Sequence, residues 1–534
     1  MRGVRRSDPI ESKRGRRCIS TEVELKLAAQ AADLPELERA LVEMAPGSVS
    51  SRSRLVSTYY DTPDLALKRR GVSLRVREQD GRFIQTVKTG DPTRGDVLTR
   101  GEWEDELAES GPDAHAAQSG DHLPEGVAGD LQPLFATDVT RTMVAIEPAA
   151  ATRIEAAIDE GEIRAGADGN EPISEIELEL KSGDAAALYD VALRLLDVAP
   201  IRIEPRSKSE RGYRLRDETE AAPPVIHAEP VVLDPTMTVE AALQEIGRTC
   251  LAHLLHNEAA ALARVPEGVH QMRVAVRRIR SAISACKDLL PAENRRWISR
   301  ELAWLVDILG AARNLDVFAS DLLQPARTAL SHEAGIADLA TAIDRARRVA
   351  YDRVEQAIHS ERHAAGLLRL SHWFEARAWR EGPGSGRSAL LTSPIGELAP
   401  RLLDRRWREV RKRSKGFGRM TARQRHKLRI AAKKLRYTIE LLGSLFDRDD
   451  LQRFVRRLKR LQDDLGYAND VRVAHDILPE LSAGAERGCV ACAGARLLKW
   501  HQKALAKGQR KLRKRLCRLN RATPFWRERE QAGS

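Results

Sequence analysis

Sulfur, aromatic rings and long apolar runs are all scarce in this chain. Its 534 residues hold six cysteines at scattered positions, too few and too far apart for a disulfide framework. The closest pair, Cys489 and Cys492, is a lone C-x-x-C without a second pair or nearby histidines, so zinc or redox chemistry there ranks below two small residues in a helix or loop. Aromatic residues make up only 4% of the chain, which argues against a stacking platform for single-stranded nucleic acid. No apolar run approaches the ~18 residues of a membrane span, and no hydrophobic signal-peptide core is visible. These absences lead us to expect a reduced, cytoplasmic protein with no membrane role.

What the chain has in abundance is charge, distributed unevenly. Residues 1–220 carry 31 Lys and Arg against 42 Asp and Glu, and residues 221–534 carry 58 against 35, so an acidic half precedes a strongly basic one. A chain of this length predicts several domains. The seam is Ala221-Ala222-Pro223-Pro224, followed by Pro230 and Pro235, a composition suited to a linker over 221–237. Residues 1–18, with Arg2, Arg5, Arg6, Lys13, Arg14, Arg16 and Arg17 and almost nothing to bury, read as a disordered basic tail. Residues 523–534 read as a second tail.

In the acidic half, two-residue alternation dominates. Thr21 to Leu27 sets Glu22, Glu24 and Lys26 on one strand face and Val23, Leu25 and Leu27 on the other. Arg75-Val76-Arg77, Glu102-Trp103-Glu104 and Glu175-Ile176-Glu177-Leu178-Glu179 repeat the pattern. Further strands are expected at 55–61, 72–78, 82–88, 100–107, 143–146, 153–159, 162–165 and 173–180, with helices at 34–44 and 185–196. Many short strands argue for an antiparallel barrel or sandwich. If the charges face a lumen, the apolar residues face outward and must be covered by helices. Such a lumen has to hold water or a ligand, because unpaired buried ions cost several kcal/mol each.

Glu22-x-Glu24-x-Lys26, Tyr60-Asp61-Thr62-Pro63, Leu74-Arg75-Val76-Arg77, Thr86-Val87-Lys88, Arg100-x-Glu102, Ile158-Asp159-x-Gly161, Glu175-x-Glu177-x-Glu179 and Lys208-x-x-Arg211-Gly212-Tyr213, in this order, resemble a CYTH domain over about 19–220. That family comprises the triphosphate tunnel metalloenzymes. The resemblance implies an eight-stranded antiparallel tunnel that binds a triphosphate together with Mg2+ or Mn2+. Mapped onto this chain, Glu22, Glu24, Glu177 and Glu179 would hold the metal, and Lys26, Arg75, Arg77, Lys88, Arg141 and Lys208 would grip phosphate oxygens. Glu22, Glu24, Lys26 and Lys208 would carry the catalytic roles. Glu102, Glu104 and Asp159 stand between a second metal and plain ion pairing.

From Val239 onward helical spacing takes over. Val269 to Arg280 recurs as Arg425 to Arg436 at an offset of 156, and Leu309-Gly310 returns as Leu465-Gly466 at the same offset. Two helical units are expected, over about 238–390 and 391–522. Each sets a histidine and three basic residues on one helix face: His270, Arg273, Arg277 and Arg280, then His426, Arg429, Lys433 and Arg436. A solvated surface is the plain explanation of any one basic stripe, but two matched stripes in a strongly basic domain point to a polyanion. This repeat resembles the CHAD domain, which implies a two-fold helical bundle binding inorganic polyphosphate through those residues. Arg313 to Asp316 and Asn469-Asp470 are expected to follow turns at the Leu-Gly pairs and to cap helices there. Nucleic acid is the rival polyanion.

Together these resemblances imply an α+β multidomain enzyme that hydrolyses inorganic triphosphate to diphosphate and phosphate and is tethered to polyphosphate, with association with polyphosphate granules left open. The alternatives are the same tunnel acting on thiamine triphosphate or a nucleoside triphosphate, including adenylate cyclase activity, and a non-catalytic polyphosphate scaffold.

Overall fold

The computed structural model describes residues 21–45, 50–89, 98–149, 151–166, 169–216, 222–330, 333–380, 385–483 and 487–530. The tail expected over 1–18 lies outside them. Nine strands form one antiparallel sheet among the described residues: β1 Thr21–Ala29, β2 Ser51–Asp61, β3 Val72–Gln79, β4 Arg82–Thr89, β5 Leu98–Leu107, β6 Gln132–Ala149, β7 Thr152–Ala165, β8 Gly169–Ser182 and β9 Ile201–Ile203. Their order is β5-β4-β3-β2-β6-β7-β8-β1-β9, and β5 also pairs with β1. Eight strands therefore close into a ring. The short β9, which the sequence does not signal, pairs with the far end of β1.

Two strands expected at 153–159 and 162–165 are one continuous strand, β7. Gly161 does not break it: a Cβ there would strike the β6 backbone at Asp138 and Val139, so glycine serves close strand approach rather than a turn. The hairpin between β3 and β4 turns on Asp80 and Gly81, both at positive φ, as a two-residue hairpin favours.

Inward charges and outward apolar side chains alternate as expected. Leu25, Leu27, Ile154, Ala156, Ile158, Ile176 and Leu178 are buried outside the ring, against Leu37 and Leu41 of α1 (Leu34–Glu43) and Leu188 and Leu195 of α3 (Ala186–Leu196). The opposite wall is covered differently. Val72, Leu74 and Val87 pack under Leu67 of the short α2 (Ala66–Arg69) and under Val127 from the loop after β5. One end of the lumen is filled by α4 (Lys208–Arg216), whose Tyr213 packs with Leu55, Tyr59, Phe135, Val139 and Ile163. Asp61, fully buried, accepts from the Leu67 and Lys68 amides and from the Tyr213 hydroxyl at 2.8, 3.0 and 2.9 Å. The Tyr60 to Pro63 motif thus anchors α2 and α4.

Residues 222–237 lead into an all-helical region: α5 Val239–Leu255, α6 Glu258–Leu262, α7 Pro266–Ala285, α8 Ala292–Val317, α9 Gln324–Arg327, α10 Ile336–Ile358, α11 Glu361–Glu375, α12 Ser385–Thr392, α13 Ile395–Ser414, α14 Ala422–Leu442, α15 Arg448–Ala483 and α16 Arg487–Asn520. The repeat is physical. The Val239 amide donates to the Ser393 carbonyl, and the Ile395 amide donates to the Met237 carbonyl, the same bond exchanged across an internal two-fold at the offset of 156. α11 packs on α3 and β9, and His372 lies 3.0 Å from Asp190 across that contact.

Two expectations fail here. The Leu309-Gly310 and Leu465-Gly466 pairs lie inside the unbroken α8 and α15 rather than at turns, so Asp316 and Asn469 are not caps. Asp316 instead accepts from Arg347 and Tyr351, and Asn469 meets His426. The stretch expected as a C-terminal tail is partly core: Trp526 is fully buried beside Phe454, with its indole N–H on Asp404 at 2.7 Å.

Candidate active site and cationic cavity

Strand register determines which charges meet in the barrel. Lys26 stands opposite Glu177, Arg141 opposite Asp159, Lys88 opposite Glu102, and Thr86 opposite Glu104. All of these but Asp159, which is buried behind Arg141, line a cavity of about 400 Å³. On the β1, β7 and β8 wall, Glu177 accepts from Lys26, from Lys208 at 2.9 Å and from Arg141 at 2.5 Å. Arg141 also grips Asp159 through two bonds of 2.7 and 2.6 Å, and Lys208 reaches Asp159 at 2.7 Å and Glu175. Glu24 lies 3.3 Å from the Lys26 ammonium. Burial alone would pull the ammonium groups of Lys26 and Lys208 down; the carboxylates around them outweigh it and hold both above their ordinary values. Burial would likewise raise Glu177, but Lys208, Lys26 and Arg141 hold it well below the usual carboxylate range.

The β3 and β4 wall is short of partners. Lys88 lies 3.1 Å from Glu102, and Arg75 is 3.8 Å from the same carboxylate. The Nε atoms of Arg75 and Arg77 are buried without a hydrogen-bond partner. Arg77, pressed by Arg75, by burial and by Arg141, falls to about 10.

The structure thus gathers Glu24, Lys26, Arg75, Arg77, Lys88, Arg141, Glu177, Glu179 and Lys208 around one cavity. Glu22 sits on β1 in register with Arg100, and its side chain lies outside the described residues. Glu179 faces Glu155 across the β7–β8 pair and bonds Lys181 at 2.6 Å, apart from the compact carboxylate group. That group is Asp159, Glu175 and Glu177, with oxygens within 4.8 Å of one another, a donor set suited to a hard divalent cation. Glu175 is legible in the Glu-x-Glu-x-Glu alternation, but only its meeting with Asp159 and Glu177 in the folded sheet marks it as a candidate ligand. Arg211 of α4, also missed, bonds Glu175 and Glu171 at 2.8 Å each and so fixes the helix that delivers Lys208.

In the helical half, a second cavity of about 520 Å³ lies between α7, α8 and α14. Arg273, Arg277, Arg280, Arg429 and Lys433 line it, and no carboxylate among the described residues does. Arg295 of α8, outside the repeated stretch, and Lys434, next to Lys433 within it, join them, and the Nε atoms of Arg273, Arg295 and Arg429 are buried without partners. Arg273 donates to the Val306 carbonyl across Gly310, where a Cβ would collide with its guanidinium. Burial, followed by Arg429 and Arg277, brings Lys433 down to about 6. His270, His426 and Arg436 stand outside this cavity; His426 faces Asn469, and Arg436 is held by Glu440 at 2.6 Å.

The CYTH domain family model matches residues 20–213, and the CHAD domain family model matches residues 245–479. An inorganic triphosphatase of Haemophilus influenzae is 35% identical over 200 residues, 36% of this chain and 54% of the relative, so the match spans about half of that protein's length. An uncharacterized protein of Mycobacterium tuberculosis is 26% identical over 482 residues, 82% of this chain and 85% of the relative. Among solved structures, the CHAD domain from the plant Ricinus communis matches at TM-score 0.47 and 24% identity, covering 56% of this chain and 98% of that one. The chain is a CYTH domain followed by a CHAD domain.

Proposed function

We propose that the barrel hydrolyses inorganic triphosphate to diphosphate and phosphate with the help of Mg2+ or Mn2+, and that the helical domain binds inorganic polyphosphate. One observation carries the first reading: a single cavity sets buried, partnerless guanidinium nitrogens of Arg75 and Arg77 against the carboxylates of Glu24 and Glu177, with Asp159 and Glu175 buried directly behind Glu177. A linear polyanion accompanied by a divalent cation satisfies both walls at once.

Without ligand, the cavity neutralises itself. Lys26, Lys208 and Arg141 occupy the carboxylates. Substrate phosphates would draw these cations away and leave Asp159, Glu175 and Glu177, with Glu24 alongside, as the carboxylates that would hold the metal. A divalent ion held there would supply neutralisation of charge on the phosphoryl oxygens and polarisation of water. Arg75, Arg77 and Lys88 align the chain from the facing wall; phosphoryl transfer asks mainly for alignment and charge stabilisation, so no nucleophilic side chain is required. The reaction forms one bond from water oxygen to phosphorus and breaks one bridging P–O bond.

The test is phosphate release from triphosphate, ATP and thiamine triphosphate with Mg2+ or Mn2+. Triphosphate turns over fastest and a chelator stops it; no release from any substrate refutes the enzymatic reading. For the helical domain, the acid-free cavity supports polyphosphate binding that weakens steeply with salt.

A further inference from the structure

The internal two-fold would give the CHAD domain two equivalent faces, and the acid-free cationic cavity lies at one of them. Arg273 and Arg277 of α7 are repeat-related to Arg429 and Lys433 of α14, and all four line the open cavity. Away from these helices' shared contact the faces diverge. The open face adds Arg280, Lys287, Arg295 and Lys434, whose partners 156 residues away are Arg436, Gly443, Leu451 and Arg278.

Each of those four substitutions removes usable charge from the second face. Gly443 and Leu451 carry none. Arg436 is tied by Glu440 one helical turn on, whereas Arg280 has Ser284 at that spacing, and the Ser284 hydroxyl accepts from Arg406 at 2.8 Å. Arg278 is 1% exposed and donates to the Glu229 carbonyl at 2.7 Å, under the interdomain segment whose Val231 and Leu233 are themselves buried. The Nε and Nη1 of Arg278 lack partners, so the segment covers this cation without satisfying it.

We infer that the helical domain presents one phosphate-chain seat instead of two, and that Ser284, against Glu440 at the repeat-related position, keeps Arg280 available to that seat. The inference rests on the proposal that this domain binds polyphosphate. A carboxylate at position 284 would reproduce the Arg436–Glu440 pair on Arg280 and place a negative charge beside Arg406.

Calorimetric titration of the full chain with a short polyphosphate of defined length tests this. We expect one polyphosphate per chain, with affinity about tenfold weaker in Ser284→Glu and within about threefold of the parent in Ser284→Gln. Glu440→Gln leaves the stoichiometry at one, because Gly443, Leu451 and the covering segment still close that face. The parent stoichiometry needs no variant to fold. Two polyphosphates per chain, or a Ser284→Glu protein that is folded by its melting curve and binds unchanged, overturns the inference alone. No binding by the parent overturns the reading beneath it.

Discussion

Replacing Arg77 with methionine should separate binding from folding. The guanidinium sits beside Arg75, its Nε has no partner, and its pKa falls from 12.5 to about 10. The folded state therefore holds this proton more weakly than the unfolded chain does. The charge costs stability at every pH below about 10, and the cost is relieved only as pH rises through that value. The drop corresponds to ~3 kcal/mol against the charged form. Partial exposure and the packing of the side-chain stem reduce the recoverable part to ~1–2 kcal/mol. Methionine keeps much of that stem, so the ligand-free Tm should rise by roughly 2–8 °C for a domain of this size. Triphosphate should lose most of its stabilising effect, and kcat/KM should fall by about 100-fold, the loss of one charge-assisted contact. Thermal melts with and without triphosphate and a phosphate-release assay read both effects. A lowered Tm with undiminished stabilisation by triphosphate would refute the reasoning, since Arg77 would then be a structural cation.

Glu177→Gln leaves Lys26, Lys208 and Arg141 facing one another with a carboxylate fewer; the ligand-free barrel should lose ~3–5 kcal/mol, seen in chemical denaturation, and turnover should vanish. An unchanged denaturation midpoint would show that the three cations do not depend on it. Lys433, held near 6 in the free cavity, should take up a proton as polyphosphate binds. Affinity should thus decline as pH climbs from about 6 to 9, and titrations in buffers of different ionisation enthalpy should reveal the uptake, which Lys433→Met abolishes. In the ligand-free protein the sign reverses: between about 6 and 10.5 the unfolded chain binds this proton better, so stability contributed by Lys433 rises with pH across that window.

The barrel was readable because a period of two survives translation into space: Glu24 and Lys26, Arg75 and Arg77, and Glu175 to Glu179 keep their faces once the strands pair. Strand ends were less legible. β6 runs from Gln132 to Ala149, although only its stretch at 143–146 shows a strand's apolar pattern, and β7 crosses Gly161, which by itself signals a break. In the helical half the 156-residue repeat identified Arg273, Arg277, Arg429 and Lys433 correctly as neighbours in charge. It could not show that Arg436 is claimed by Glu440, that Arg295 comes in from α8, or that Lys434 lines the cavity while its repeat mate Arg278 is buried.

Alternation and repetition, which are properties of neighbouring residues, determined by themselves that an acidic strand-rich unit precedes a basic helical one, and which charges share a face. Tertiary structure alone decided how those charges are paired. Register sets Lys26 against Glu177, α4 carries Lys208 to Asp159 and Glu175, and the interdomain segment buries Arg278 while Lys434 stays exposed. The reason is range: an ion pair such as Lys26 with Glu177 depends on a few ångströms between residues 151 positions apart, and no local pattern encodes that distance.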